Sequence, residues 1–203
     1  MSDRLPLGAR RSLDIRLVAA LERVGQAARA HLWREAGRQG LTPTQAQLLL
    51  RLRTDPPQHR RVEALASHLH LTHPTVSDAL SALIRKGLAT RRRDGPRGRR
   101  STLDLTPSGE EVAGRLEAWY DPFFRAVATR PTAEKERTLE LLLAIIQHLH
   151  REGVITVART CVTCRFFRPN LHPGAQPHHC DLLGVPLGTG ALRVDCPEHQ
   201  QVA

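Results

Sequence analysis

Apolar residues recur at helical spacing along most of the chain up to residue 152. In residues 73–86 they fall on one side of a helix, which indicates a side that packs against a core. This stripe consists of Val76, Leu80, Leu83 and Ile84. A second short stripe lies in residues 62–69, and only three residues separate the two segments. Two short helices joined by so tight a turn are typical of a helix-turn-helix.

The signals at the ends of the second helix of this pair predict a pair of strands after it. Thr72 is a predicted N-cap, Pro74 is tolerated in a first turn, and Gly87 ends the helix. Residues 88–106 combine Asp-Gly and Gly-Pro turn signals with ends that suit short strands. We therefore predict a winged helix between residues 41 and 106.

Four more helices are predicted around this unit. They run from Ser12 to about Gly37, from Thr42 to a stop before Asp55, from Thr106 through Trp119 to an interruption at Asp121 and Pro122, and from about Thr132 to Arg151. The second of them starts with a capping box in which Gln45 reaches back to Thr42. Aromatic residues make up only 3% of the chain, which also favours a mainly α protein. The long helices carry more apolar surface than a winged helix can cover, so we predict a homodimer.

The composition changes along the chain and predicts three parts. Residues 1–11 are polar and are expected to be disordered. Residues 12–157 are expected to form a winged-helix and dimerisation domain. In residues 158–203 Gly and Pro become frequent, helical periodicity is lost and all four cysteines occur, so a small separate extension is expected.

The charge of the chain favours double-stranded DNA as a partner. The formal net charge is +10, and six arginines fall between residues 91 and 100. The side of the 73–86 helix opposite its apolar stripe is mostly short and polar, so it can approach a large partner closely. Candidate contacts from this helix to bases or nearby phosphates are His73, Pro74, Thr75, Ser77, Asp78, Ser81 and Arg85. Candidate contacts from the strand and the wing are Arg91, Arg92, Arg93, Arg97, Arg99 and Arg100.

Five segments of the chain, in this order and spacing, resemble the MarR family of bacterial transcription regulators. They are residues 41–45 (LTPTQ), 62–66 (VEALA), 75–88, 94–100 and 105–109 (LTPSG). The resemblance covers about residues 10–152 and implies that the first and last helices interlock two subunits on an inverted-repeat DNA site. One position departs from the family pattern, because Arg97 stands where the family usually has an aspartate of the wing. Arg99 keeps the position of the wing arginine.

The C-terminal extension has no counterpart in that family, and its cysteines predict a metal site. The candidate ligands are Cys161, Cys164, Cys180 and Cys196. A Cys-x-x-Cys knuckle turns two thiolates toward one point, and two more cysteines complete four soft ligands. Iron–sulfur clusters accept such scattered cysteines, whereas zinc ribbons usually have two knuckles, so we favour a cluster and keep Zn²⁺ as the alternative. Four histidines lie near these cysteines and are expected to be surface residues or neighbours of the ligands rather than ligands, with His179 or His199 as the alternative replacement for a cysteine: His172, His178, His179 and His199. The extension either senses redox or iron status or braces the dimer.

Other functional classes fit the sequence less well. A winged helix followed by a zinc ribbon also occurs in transcription-machinery adaptors, which contact mainly protein. A thiol redox enzyme using Cys161 and Cys164 lacks the βαβ setting that such motifs need. No segment resembles a nucleotide-binding loop or a catalytic triad, so no enzyme activity is expected. Without a spanning apolar segment or a signal peptide, the expected location is the cytoplasm. The sequence does not define a small-molecule effector.

Overall fold

The computed structural model describes residues 13–93 and 101–202, and this part of the chain is mainly helical. The helices are α1 (Leu13–Arg38), α2 (Pro43–Thr54), α3 (Val62–Leu69), α4 (His73–Arg85), α5 (Pro107–Glu117), α6 (Asp121–Ala128) and α7 (Thr132–Arg151). The strands are β1 (Ala89–Arg93), β2 (Ser101–Leu105), β3 (Phe167–Arg168), β4 (His178–Cys180) and β5 (Val185–Leu187). They form two antiparallel sheets, β1-β2 and β3-β4-β5. The predictions for residues 1–11, for Ser12 as an N-cap and for the wing tip at 94–100 fall outside the described residues.

Helix α2 is the centre of the core. Its start confirms the predicted capping box: Thr42 Oγ1 accepts from the backbone N–H of Gln45 at 3.2 Å, and Gln45 Oε1 accepts from that of Thr42 at 3.3 Å. Three of its leucines, Leu48, Leu49 and Leu52, are fully buried. Burying a leucine side chain is worth about 1.5–3 kcal/mol, so this helix anchors the domain. Helices α1, α3, α4 and α5 pack around it.

The helix-turn-helix and the strands of the wing follow the prediction. Helix α3 ends at Leu69 and is followed by its C-cap His70, whose backbone is left-handed (φ 53°). Thr72 Oγ1 then caps α4 by accepting from Thr75 N–H at 3.3 Å. Val76, Leu80 and Leu83 are fully buried. Strands β1 and β2 pair with Ala89 opposite Leu105 and Arg93 opposite Ser101. The turn chemistry therefore places α4 and the wing side by side.

A close backbone contact ties α5 to the start of the wing. Thr106 Oγ1 donates to the Gly87 carbonyl at 2.6 Å and accepts from Gly109 N–H at 3.0 Å. A Cβ atom on Gly109 would lie 1.9 Å from the carbonyl oxygen of Leu88, so only glycine fits there. Helix α5 ends at Glu117, and a 3₁₀ turn leads into α6, which keeps Pro122 in its first turn. The predicted interruption is thus a new helix start, because a first-turn proline lacks only an N–H that the helix does not use.

Large apolar side chains remain exposed on the helices outside the winged helix. In α1 only Leu32 and Ala36, near its C-terminal end, are buried. The exposed large apolar residues of α1, α6 and α7 are Leu13, Leu17, Val18, Leu21, Val24, Trp33, Phe124, Val127, Leu141 and Leu142. None of the described helices is both long and apolar enough to cross a membrane.

Residues 158–202, here called the cysteine module, fold as a small unit around the β3-β4-β5 sheet and two 3₁₀ turns. The module packs against α7, where Gln147 Nε2 donates to the Val162 carbonyl at 2.9 Å and Thr189 Oγ1 donates to Glu140 at 3.0 Å. It also contacts α2 through side chains of opposite charge. The module therefore links the last helix to the centre of the winged-helix core.

Candidate DNA-binding surface and cysteine cavity

The outer side of α4 is exposed as the sequence predicts. His73, Pro74, Thr75, Asp78 and Arg85 are exposed, whereas Ser77 and Ser81 are half-buried. The buried stripe fixes the helix against the core, so this outer side has one orientation. Because it is convex and free of long apolar side chains, it can enter the major groove of DNA, which admits an α-helix.

Some polar side chains of α4 are already hydrogen-bonded within the protein, whereas others have no partner among the described residues and can bind DNA. Thr75 Oγ1 lies 2.7 Å from Thr72 Oγ1, and Ser81 Oγ donates to the Ser77 carbonyl at 2.8 Å. Ser81 Oγ therefore keeps only acceptor capacity for a base. Asp78 and Arg85 have no hydrogen-bond or ion-pair partner within the described part of the chain. Those two side chains are the freest charged groups of the helix.

The base of the wing adds positive charge beside α4. Arg91 and Arg92 are exposed, and Arg92 Nε donates to Asp104 Oδ2 at 3.1 Å. Asp104 also accepts from Arg60 at 3.2 Å, so Arg92 shares its carboxylate while Arg91 does not. Arg93 is the last residue of β1. The predicted contacts Arg97, Arg99 and Arg100 lie outside the described residues.

The four cysteines line one cavity of about 300 Å³. Cys161 starts a 3₁₀ turn that Cys164 ends, Cys180 ends β4, and Cys196 is held by its backbone N–H, which donates to the Arg159 carbonyl at 2.7 Å. All four are free thiols, and each is half-buried. Apart from Arg193 and Glu198, the other lining residues are apolar. The fold therefore brings together all the cysteines that the sequence singles out.

Nitrogen donors from one residue point at two of the sulfurs. The backbone N–H of Arg193 donates to Cys161 Sγ at 3.1 Å, and Arg193 Nη1 lies 3.6 Å from Cys196 Sγ. Burial raises the pKa of the Cys161 thiol, and the other three cysteines raise it further. The hydrogen bond from the Arg193 N–H lowers this pKa but does not outweigh those effects. A bound cationic centre would instead lower the pKa of this thiol, because a positive charge stabilises the thiolate. Arg193 was not predicted, although an arginine three residues before Cys196 is a recognisable signal.

The histidines near the cysteines do not line this cavity. His172 Nε2 lies 3.1 Å from His179 Nδ1, and His199 Nε2 lies 3.0 Å from Thr163 Oγ1. His178 stacks at an angle on Phe167. Within the described ranges, no three or more His, Cys, Asp or Glu side chains stand close enough to hold a single metal ion.

Four charged side chains join the cysteine module to α2, and sequence reasoning missed all of them. Arg159 donates to Asp55 at 3.1 Å and to Asp195 at 2.7 Å, and Arg51 donates to both of these carboxylates. We call this set, Arg51, Asp55, Arg159 and Asp195, the interdomain ion network. The Arg159 and Asp55 side chains are only 9% and 5% exposed. The pair Arg51 and Asp55 has the i,i+4 spacing of helix ion pairs, which was the one available signal.

Protonation states in the network follow from its geometry. Burial disfavours the charge of Asp195, but hydrogen bonds and charges from Arg159 and Arg51 outweigh it and lower the pKa. Burial also opposes the charge of Arg159, yet Asp195 and Asp55 raise its pKa. Burial and then the charge of Arg51 lower the pKa of the neighbouring His68 to about 4. His68 is therefore neutral at pH 7, and its 3.8 Å approach to Asp195 is no ion pair.

Comparison with known proteins gives the same fold. Residues 39–100 match the model of the MarR family. A crystal structure of the S. aureus MepR–DNA complex is 22% identical, with a TM-score of 0.56, over 65% of this chain and 97% of that chain. The MarR family transcription regulator SP03579 is 21% identical, with a TM-score of 0.60, over 71% and 97%. Transcriptional regulator PA3341 is 25% identical, with a TM-score of 0.57, over 66% and 98%. No curated protein matches the chain in sequence.

These structures cover 65%, 71% and 66% of this chain. The family model spans the helix-turn-helix and the wing, where the motifs of the sequence lie. Residues 39–100 are therefore similar to the MarR family, and the chain has the fold of MarR family transcription regulators.

Proposed function

We propose that this protein is a transcription regulator that binds double-stranded DNA as a homodimer at an inverted-repeat operator. The observation that carries the proposal is the exposed polar side of α4 beside the basic base of the wing. In helix-turn-helix proteins the second helix reads base edges in the major groove, and basic residues beside it meet phosphates. The structure of the MepR–DNA complex, which shares the fold, is consistent with this role.

The proposed second subunit accounts for the exposed apolar surface. Six large apolar side chains of α1 are exposed, and α6 and α7 add four more. Apolar patches of this extent mark interfaces in soluble proteins. A second copy is the occupant we propose, because the surface lies on the first and last helices and a two-fold dimer matches two half-sites about 34 Å apart.

Selection of bound sequences from random double-stranded DNA tests this function. We expect an inverted repeat to be enriched, and we expect light scattering to give the mass of a dimer both free and bound. Enrichment of a single half-site by a monomer would contradict the proposed dimer. No enrichment of any sequence, with polymerase bound instead, would favour the adaptor function.

Ser81→Ala is expected to weaken binding to the selected site by about 1–3 kcal/mol and to leave binding to random DNA almost unchanged. The Ser81 hydroxyl can accept a hydrogen bond from an amino group of adenine or cytosine, and its loss costs α4 only one bond to the Ser77 carbonyl. Thr75→Ala is a poorer test, because that hydroxyl also contacts the cap residue Thr72. Titration by fluorescence anisotropy measures both affinities. Equal losses on the two DNAs would show that α4 does not read bases.

Arg91→Gln is expected to reduce the slope of log affinity against log salt by about 1.8 for the dimer, which is about 0.9 for each of the two released counterions. Arg91 is exposed and does not share the Asp104 carboxylate that engages Arg92. Arg137→Gln is the matched control, because it removes the same charge from α7, outside the winged helix. An unchanged slope in Arg91→Gln would show that this strand does not meet phosphates.

The cysteine module is the proposed modulator of the regulator. It contacts α7, which belongs to the proposed dimer surface, and it joins α2 through the interdomain ion network. Helix α2 in turn packs against α4. A change in the module can therefore reach the DNA-reading helix through buried contacts, which favours modulation over a purely passive extension.

A further inference from the structure

We infer that the cavity lined by Cys161, Cys164, Cys180 and Cys196 binds an iron–sulfur cluster rather than a single zinc ion. The inference goes beyond DNA binding and depends only on the cysteine module. Its experiment therefore contains no DNA, and its failure would leave the proposed function standing.

The size of the cavity separates the two kinds of centre. Zinc is held by sulfurs about 2.3 Å from one point, which places four tetrahedral sulfurs about 3.8 Å apart. Among the described residues, no three His, Cys, Asp or Glu side chains stand close enough to hold one ion, yet all four thiols border one cavity of about 300 Å³. Four sulfurs on the wall of so large a space suit a polyatomic centre that reaches each of them.

The positions of the four cysteines fit a preformed site. They come from three separate places: the turn at 161–163 with Cys164 after it, the end of β4, and the loop before the C-terminal segment. Two backbone contacts hold the C-terminal segment after Cys196 against the Cys-x-x-Cys knuckle, since Arg165 N–H donates to the Gln200 carbonyl at 2.8 Å and Cys164 forms a β-bridge with Gln201. The thiols are thus held in place by the fold of the module.

The surroundings of the sulfurs match the chemistry of a cluster. Phenylalanine, leucine and valine side chains make up most of the remaining wall. The contacts of Arg193 with Cys161 and Cys196 place hydrogen-bond donors on two sulfurs. Hydrogen bonds to the sulfurs are one of the ways in which a protein tunes the reduction potential of an iron–sulfur centre.

Purification without oxygen from iron-replete cells, followed by metal and sulfide analysis, tests the inference. We expect a brown protein with iron and acid-labile sulfide in equal amounts, about two or four of each per chain. Protein isolated in air is expected to regain both after anaerobic treatment with a thiol reductant, ferric iron and sulfide, in which the reductant frees the cysteines and supplies the electrons for any ferrous iron of the cluster. A colourless protein with one zinc per chain, or one that takes up no iron and sulfide, would overturn the inference.

Matched variants tie the cluster to this cavity. Cys180→Ser is expected to lose most of the iron, while its far-ultraviolet circular dichroism shows that the helices remain. His172→Ala is expected to keep the iron, because His172 contacts His179 and does not line the cavity. Full iron content in Cys180→Ser, or its loss in His172→Ala alone, would contradict the assignment of the four cysteines.

Discussion

Replacing Asp55 with alanine is expected to lower the free energy of unfolding by about 3–5 kcal/mol, the cost of removing one partner from a buried ion pair. Asp55 ends α2, is almost fully buried and accepts from both Arg51 and Arg159. Its loss leaves the Arg159 guanidinium, which is 9% exposed, with only Asp195 as a partner. Urea denaturation followed by circular dichroism measures the change.

Asp181→Ala is the matched control for this experiment. Asp181 pairs with Arg168 at 2.7 Å, but the two side chains are 36% and 56% exposed. Exposed pairs contribute about 0–1 kcal/mol, so this variant should unfold almost as the unaltered protein does. A loss in Asp55→Ala no larger than in Asp181→Ala would mean that the network does not hold the module to α2.

Removal of the proposed cluster is expected to weaken operator binding by about 5- to 150-fold, which corresponds to a coupling free energy of about 1–3 kcal/mol. Cys196 is bonded to Asp195 in the chain, and its backbone N–H donates to the Arg159 carbonyl. Movement of Cys196 when the cluster is lost therefore displaces two members of the interdomain ion network, Asp195 and Arg159. The network ends at Arg51 and Asp55 of α2, against which α4 packs.

The measurement compares operator affinity for cluster-loaded protein, cluster-depleted protein and Cys180→Ser, each shown to be dimeric. Asp195→Asn provides the matched test of the route, because it keeps the cysteines and removes the charge that Arg159 and Arg51 share. In that variant the affinities of loaded and depleted protein should converge. Equal affinities for the loaded and depleted unaltered protein would show that the module only braces the structure.

The elements that local chemistry specifies were predictable from the sequence. The capping box at Thr42, the cap at Thr72 and the apolar stripe of α4 depend on residues three or four positions apart, and each is confirmed. The glycine at position 109 was recognised only as part of a motif. Its reason is tertiary, because the nearest atom to a Cβ there is the carbonyl oxygen of Leu88.

The cysteine spacing predicted a shared site, and the fold places all four thiols at one cavity. What the sequence by itself determined is the winged helix and the cysteines as one group, because helix periodicity, caps and a Cys-x-x-Cys knuckle act over a few residues. Only the tertiary structure decided where the module docks. Arg159 and Asp55 are 104 positions apart, and Arg51 and Asp195 are 144 apart. Such pairs leave no periodic pattern in the chain, since each depends on folding that first brings distant segments together and then buries their charges.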